Sequence, residues 1–472
     1  MSGRGAVPLA DSYSPKRRTA LLLTGSGTAG AYHAGVLRAL HEAGVKLDVA
    51  SGRGIGAVGA MFAAIDGAQH LWGDRGFWAN PAVGSLYGWR SSLRALFGAA
   101  ALAMAVVAVP LAAMALGLFV YPIDFILKMA GLSGAALVGR YLLLADAVFA
   151  PAAFPTWLPR LAVLILAAAG AAAAAGTLRR ANRRHARGPW WWRLVPNPLM
   201  AEPAIALAWS AIWDLVRGAA QLRLPSRVDL ARRYLELLGE NLGQPGFREL
   251  IIVAHDVDAG RDLVFAMVHE ARRKALVRRP LTRDAENRRA EAFDLAGVAR
   301  DHLVDAVAAA LTVPVVTDLH SVSFAADGFW RGETHRVCDR PGCLDRLMRE
   351  LADLEVEQIV LVSATPEPHG PHTLAAPRLD GRGRIGEYVR SSEASVLGDA
   401  LERHRDDKPL VFVIRPTHNP IGPFDFDGGF DDRSDRRQSL AELMNRGYED
   451  AYHQFIEPVV GASGEHVGNA AR

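Results

Sequence analysis

The stretch Ala20-Leu-Leu-Leu-Thr-Gly-Ser-Gly-Thr-Ala-Gly30 decides the fold of this chain. Its run of leucines predicts a buried β-strand, and the glycines that follow predict a tight turn. Residues 31–43 then carry apolar side chains at helical spacing, and Gly44 predicts the end of that helix. A buried strand that enters a helix through a glycine-rich turn is typical of α/β proteins with a parallel sheet.

A second unit of the same kind follows at Asp48-Val-Ala-Ser-Gly-Arg-Gly-Ile-Gly-Ala57. Here the pattern predicts a sharp elbow between a strand and a helix, which presents one residue above the helix N-terminus. Gly52 and Gly56 are the small flanking residues that relieve crowding in such an elbow. The presented residue is Gly54, which has no oxygen with which to attack a carbonyl.

The first turn also matches G-x-G-x-x-G, the motif of dinucleotide-binding domains, over Gly25 to Gly30. Asp48 lies near the distance at which those domains carry a ribose-binding carboxylate. In a dinucleotide fold, however, that carboxylate closes the second strand, whereas Asp48 precedes it. A nucleotide-binding membrane protein that uses this turn stays an alternative, and no cofactor is predicted.

Together the two turns resemble the patatin-like phospholipase family, in which a G-G-G-x-[RK]-G loop precedes a G-x-S-x-G elbow. Residues 21–40 are similar to that family's opening segment, and residues 48–57 match its elbow at every fixed position except the serine. The resemblance spans about Thr19 to Ile65 and resumes farther along the chain. It implies a three-layer α/β/α domain and lipid acyl hydrolase chemistry, with an oxyanion loop made of Gly25, Ser26, Gly27 and Thr28.

The chain departs from the family pattern in three ways. Gly54 replaces the serine nucleophile, and Ala29 replaces an arginine or lysine beside the oxyanion loop. The family's catalytic aspartate lies in a D-G-[GA] turn, for which Asp327 is favoured by its order in the chain, although bulky Phe329 occupies the third position. Asp427, in Asp427-Gly-Gly429, is the closer literal match but follows the late predicted strand at residues 410–414. Either aspartate could instead belong to an ordinary Asp-Gly turn.

Composition narrows the class of protein further. Lys and Arg total 53 and Asp and Glu 50, so the formal net charge of +3 gives no reason to expect nucleic acid as a partner. Cys338 and Cys343 are too few for a disulfide scaffold and lack further zinc ligands nearby. No metal site is predicted.

Further strands are predicted in the second half of the chain. Residues 249–254 and 263–268 flank Asp258-Ala-Gly260 and predict a β-hairpin, and residues 356–362 predict a later strand.

An apolar insert interrupts this globular pattern. No charged residue occurs from Ala95 to Val120, a length above the ~20 residues needed to cross a bilayer. A second candidate span covers about residues 159–178 and ends at a basic cluster, residues 179–187, followed by Trp190-Trp-Trp192. Basic residues at such an end mark the cytoplasmic side, and tryptophans favour the headgroup region. The insert therefore predicts a transmembrane helical hairpin, with a buried hairpin of a soluble protein as the alternative.

The segment between the two spans, residues 134–154, is apolar but carries Arg140 and Asp146. It could lie in the membrane interface or form a further crossing. An odd number of crossings would separate the two halves of the globular domain, so an even number is expected.

The sequence thus predicts a disordered tail at residues 1–18, a patatin-like domain at 19–90 and 179–472, and a transmembrane insert at 91–178. We expect an integral protein of a bacterial inner membrane whose globular domain is cytoplasmic. Its partners would be membrane lipids and a phospholipid or other acyl ester ligand, bound without serine chemistry. The alternative is an active lipid acyl hydrolase that uses a non-standard nucleophile or an activated water at Asp327.

Overall fold

The leucine-rich stretch at residues 20–23 lies at the centre of a nine-stranded sheet. The computed structural model describes residues 13–131, 135–150, 152, 154–180, 197–218, 220, 222–278, 285–368, 378–405 and 409–461. It divides into two units. The α/β unit comprises Met1–Gly88 and Leu199–Arg472, and the helical unit comprises Trp89–Pro198.

Eleven strands occur in the described residues, all in the α/β unit. In chain order they are β1 Thr19–Thr24, β2 Val49–Gly52, β3 Glu249–Asp256, β4 Arg261–Met267, β5 Ala292–Asp294, β6 His320–Ser323, β7 Thr334–Cys338, β8 Gln358–Ser363, β9 Leu410–Ile414, β10 Gly429–Asp431 and β11 Arg436–Gln438. The main sheet has the order β5-β4-β3-β2-β1-β8-β9. Its five strands from β3 to β9 run parallel, β4 is antiparallel to β3, and β7 joins β6 to the end of β3.

The helices surround this sheet or form the helical unit. In chain order they are α1 Ala29–Glu42, α2 Gly56–Ala64, α3 Gln69–Trp72, α4 Ser91–Met129, α5 Ala135–Phe149, α6 Phe154–Arg180, α7 Glu202–Arg217, α8 Arg227–Asn241, α9 Glu270–Arg278, α10 Ala285–Glu291, α11 His302–Ala310, α12 Cys343–Asp353, α13 Gly381–Arg403 and α14 Leu440–Ala451. Short 3-10 turns lie at Phe77–Ala79 and Pro81–Ser85, and a π-helical segment, Tyr452–Val460, follows α14.

Helices pack on both faces of the sheet. On one face, Ala20 and Leu22 of β1 belong to a buried cluster with Leu347 of α12 and Leu397 of α13. On the other face, α2 lies so close to β1 that a Cβ added at Gly59 would come within 2.7 Å of the Leu23 side chain. The predicted α/β class is therefore confirmed, as is the hairpin of β3 and β4.

The residues just before β1 belong to the fold. Tyr13 is fully buried and its hydroxyl donates to the carbonyl oxygen of Lys46 at 3.2 Å. Gln358 of β8 donates to the carbonyl oxygen of Ser14 at 2.6 Å. Residues 13–18 are thus ordered, in contrast to the disordered tail predicted for residues 1–18. They pack at the amino end of β1 through these hydrogen bonds. Residues 1–12 lie outside the described residues.

The described residues of the helical unit form the helices α4, α5 and α6. Within the described ranges one helix, Ser91–Met129, is long and apolar enough to cross a membrane, and it runs without interruption through Pro110 and Pro122. The predicted second span falls in α6, whose described apolar part, Pro159–Ala171, is shorter. The segment at residues 134–154, expected to lie in the interface or to cross the membrane, contains α5. The basic and tryptophan residues at 181–192 lie outside the described residues.

Two glycines allow α1 and α14 to pack with their backbones in contact. A Cβ added at Gly35 would lie 1.8 Å from the carbonyl oxygen of Met444, and one at Gly447 would lie 2.2 Å from that of Tyr32. Both distances are far below van der Waals contact, so only glycine fits at either position.

We predict that Gly35→Ala destabilises the protein by about 1–3 kcal/mol, because the new methyl group must push α14 away from α1. Thermal unfolding measures this loss. Gly398→Ala in α13 is the matched control, since its Cβ would meet nothing within 4 Å. It should leave stability unchanged or raise it by up to about 1 kcal/mol. Equal melting temperatures for Gly35→Ala and the native protein would contradict the close packing.

Candidate functional site

The two glycine-rich turns lie side by side at one edge of the sheet. β1 ends at Thr24 and β2 ends at Gly52, and the two strands pair in parallel, so the turns that follow them leave the same edge. The first turn leads into α1 and the second into α2. The carboxyl edge of a parallel sheet is where α/β proteins usually bind their ligands.

The backbone at Gly54 adopts the left-handed conformation, with φ of +56°. A Cβ built at this position would lie 2.3 Å from the carbonyl oxygen of Gly25 and 3.0 Å from Oδ2 of Asp339. The Gly25 carbonyl is held there because it accepts a hydrogen bond from the Ile55 N–H at 3.0 Å. The space that a nucleophile's side chain would occupy is therefore filled by backbone.

Gly52 and Gly56, which flank the elbow, lie where there is no room for a side chain. A Cβ at Gly52 would lie 2.3 Å from the carbonyl oxygen of Gly56, and one at Gly56 would lie 2.2 Å from that of Leu23. Any larger residue at either position would force the elbow open.

Arg53, the residue before Gly54, is buried at the centre of a polar network. Its guanidinium donates to Thr24 Oγ1 at 2.8 Å, to Asp339 Oδ2 at 2.7 Å and to Glu393 Oε1 at 2.8 Å. Ser26 of the oxyanion loop donates to the same Glu393 oxygen at 2.8 Å. One buried cation thus holds together side chains from several elements. They come from β1, both glycine-rich turns, the position after β7, and α13.

This network contains two carboxylates and one guanidinium. Burial raises the pKa of Asp339 to about 6, Arg53 opposes the rise, and Glu393 adds to it. Burial alone would lower the pKa of Arg53, but Asp339 and Glu393 together raise it above its ordinary value. Oδ1 of Asp339 is buried and makes no hydrogen bond within the described part of the chain. Because two buried negative charges share one positive charge, this carboxyl keeps its proton to a higher pH than an exposed aspartate does.

The carboxylate beside Gly54 is therefore that of Asp339, which the sequence analysis did not single out. Asp327 is exposed in the turn between β6 and β7, and Asp427 is exposed in the loop before β10. Asp339 directly follows the strand β7 and precedes α12 by a short turn. A search for D-G-[GA] misses it because Arg340 follows it. Its position directly after strand β7 was the available signal.

The oxyanion loop is in contact with a distant segment of the chain. The Thr28 N–H donates to the carbonyl oxygen of Pro423 at 2.9 Å, and Thr28 Oγ1 donates to that of Gly422 at 2.8 Å. Ala29, where the family carries a basic residue, is a buried residue at the start of α1. The buried cation of this site is Arg53 instead.

Asp48 lies at the opposite edge of the sheet from the Gly25–Gly30 turn. It precedes β2 at its amino end, where its Oδ2 accepts a hydrogen bond from the Thr19 N–H at 2.8 Å. A ribose-binding carboxylate has to follow the second strand, near the phosphate-binding turn. The geometry thus separates the two parts of the dinucleotide motif.

No protein-family profile and no curated protein matches this chain. Among solved structures it is similar to VipD from Legionella pneumophila, a patatin-like phospholipase, with 12% sequence identity and a TM-score of 0.31. That match covers 95% of this chain and 67% of the other. A likeness this weak assigns neither family nor function.

We predict a pH-dependent contribution of Asp339 to stability. Its folded pKa, about 6, is raised above the value near 3.9 expected in the unfolded chain. The folded state therefore binds the proton more tightly, and the stabilisation present below about pH 4 is lost as the pH rises through 6. The loss is on the order of 2–3 kcal/mol.

Thermal unfolding from pH 4 to pH 7 tests this. The melting temperature of Asp339→Asn relative to the native protein should rise across that range, because asparagine cannot ionise. Asp327→Asn, an exposed carboxyl, is the matched control and should show no such trend. Parallel curves for the native protein and Asp339→Asn would refute the prediction.

Proposed function

We propose that this chain is a membrane-anchored protein with a patatin-like fold that binds acyl ester lipids without hydrolysing them. The observation that carries the proposal is the elbow at Gly54, which keeps the left-handed backbone and the adjacent carboxylate of a nucleophile site while the Gly25 carbonyl fills the side-chain space. Such an elbow supports the family resemblance of the two turns, and its blocked centre supports a pseudoenzyme.

The neighbouring hydroxyl groups do not replace the missing serine. Ser51 is buried in β2, where its Oγ donates to the carbonyl oxygen of Leu21 at 2.8 Å. Ser26 donates to Glu393, whose carboxylate also pairs with the buried guanidinium of Arg53. Removal of the nucleophile from such a catalytic unit typically lowers turnover by a factor on the order of 10⁶.

The two alternative functions receive less support. An active hydrolase at Asp327 would need a cleft and partners around that carboxylate, but Asp327 is exposed in a turn. A nucleotide site at the Gly25–Gly30 turn would need free amides at the start of α1, but the Thr28 amide donates to Pro423.

Membrane anchoring is proposed for the helical unit. Large apolar side chains such as Leu118 and Phe119 of α4 are 76% and 65% exposed, which in water would be unfavourable. A bilayer around α4 would cover them, and α6 would supply the second crossing of the expected hairpin. In this proposal the α/β unit lies in the cytoplasm of a bacterium and meets lipid at the inner membrane.

We predict that neither the native protein nor Gly54→Ser reacts with a serine-directed fluorophosphonate or hydrolyses a phospholipid ester. In the variant, the new side chain would clash with the Gly25 carbonyl and would have to adopt a positive φ. Gly54→Ser should also unfold at a lower temperature than Gly398→Ser, its control at an open position. Labelling or turnover in the native protein would overturn the pseudoenzyme proposal.

We further predict that the full-length protein stays in the membrane fraction after an alkaline carbonate wash. Leu111→Arg in α4 should weaken this retention, because an arginine within an apolar span costs about 2.5–3.5 kcal/mol. Leu224→Arg is the matched control, since Leu111 and Leu224 are 58% and 57% exposed. Recovery of the native protein in the soluble fraction would exclude an integral membrane protein.

A further inference from the structure

Residues 419–428, here called the strap, lie against the oxyanion loop. The strap accepts the two hydrogen bonds that Thr28 donates. The N–H donates to the Pro423 carbonyl, and Oγ1 donates to the Gly422 carbonyl. A Cβ at Gly27 would lie only 1.8 Å from the Pro423 oxygen and 3.4 Å from the ring of Phe426. The strap therefore approaches the loop as closely as glycine allows.

The backbone carbonyl of Pro423 in the strap is chemically similar to the carbonyl of an ester ligand. The start of α1 carries partial positive charge, and its amides favour a carbonyl or anionic oxygen. The Pro423 carbonyl accepts the Thr28 amide as the carbonyl of an acyl ester would. Because it belongs to the same chain, it competes at a high effective concentration with any ester in solution.

The strap is held from its outer side by contacts that do not involve the loop. The rings of Phe424 and Phe426 lie 5.5 Å and 5.9 Å from that of Tyr87, centroid to centroid. Arg378 pairs with Asp425 at 3.0 Å. These contacts can be weakened without any change to the residues of the oxyanion loop.

We infer that the strap is an internal ligand of the oxyanion loop and that an acyl ester lipid binds only when the strap leaves. This inference rests on the proposed lipid binding. It adds that the native state is closed, with Pro423 in the place of the ester carbonyl.

The test compares the full-length native protein with Phe426→Ala in detergent micelles. Phe430→Ala is the matched control, because Phe430 lies outside the strap in β10 and is 59% exposed. Hydrogen exchange of the peptide that contains Thr28 reports release of the strap without any ligand. Calorimetric titration with dihexanoylphosphatidylcholine, below its micelle concentration, reports binding of an ester lipid.

We expect Thr28 to exchange faster in Phe426→Ala, on the order of tenfold, as the loss of about one hydrogen bond's stabilisation implies. The same variant should bind the phospholipid more tightly by a similar factor, and Phe430→Ala should match the native protein in both. If Phe426→Ala fails to fold, Asp425→Asn weakens the ion pair with Arg378 at constant side-chain size.

Three results would overturn the inference. Unchanged exchange of Thr28 in folded strap variants would show that the strap does not gate the loop. Faster exchange with the same affinity as in the native protein would show that the strap and the lipid do not compete, and would leave the proposed lipid binding intact. Faster exchange with no binding by any form would contradict the proposed function itself, and the inference with it.

Discussion

The buried guanidinium of Arg53 is the interaction on which the site depends. It joins Thr24 at the end of β1, Asp339 after β7, and Glu393 in α13, three elements that are distant in sequence. A buried charge that loses its partners costs several kcal/mol, so each of these elements is fixed in position by the others. The elbow at Gly54 is the next residue along the chain.

Two backbone carbonyls close this edge of the sheet. The Gly25 oxygen lies where a side chain at position 54 would begin, and the Pro423 oxygen accepts an amide of the oxyanion loop. Both contacts need glycine, at Gly54 and at Gly27. At each of these two glycines, a backbone carbonyl thus occupies the space into which a side chain would otherwise extend.

The strands and turns of the site could be predicted from the local sequence. The residues that contact them from distant parts of the chain could not. The strands β1 and β2, the turns after them and the hairpin of β3 and β4 were predicted because glycine spacing and apolar runs are local signals. Asp339 was missed because its contact with Arg53 spans 286 residues and no local motif marks it. Tyr13 was assigned to a disordered tail because its burial depends on contacts with later parts of the chain. Pro423 was missed for the same reason, since a carbonyl oxygen has no signature in sequence.

The sheet topology also fixes the order in which the molecule can assemble. β1 can pair with β2 soon after synthesis, but its other neighbour, β8, is 339 residues further along at the register of Thr19 and Gln358. The apolar helix α4 is made between these events, before β3 exists. During translation the growing chain therefore carries an exposed two-stranded ribbon of apolar strands together with an apolar helix. Such a nascent chain is prone to aggregate unless something covers both. With the proposed membrane anchoring, early delivery of α4 to a bilayer would restrain the ribbon at a surface until the later strands arrive.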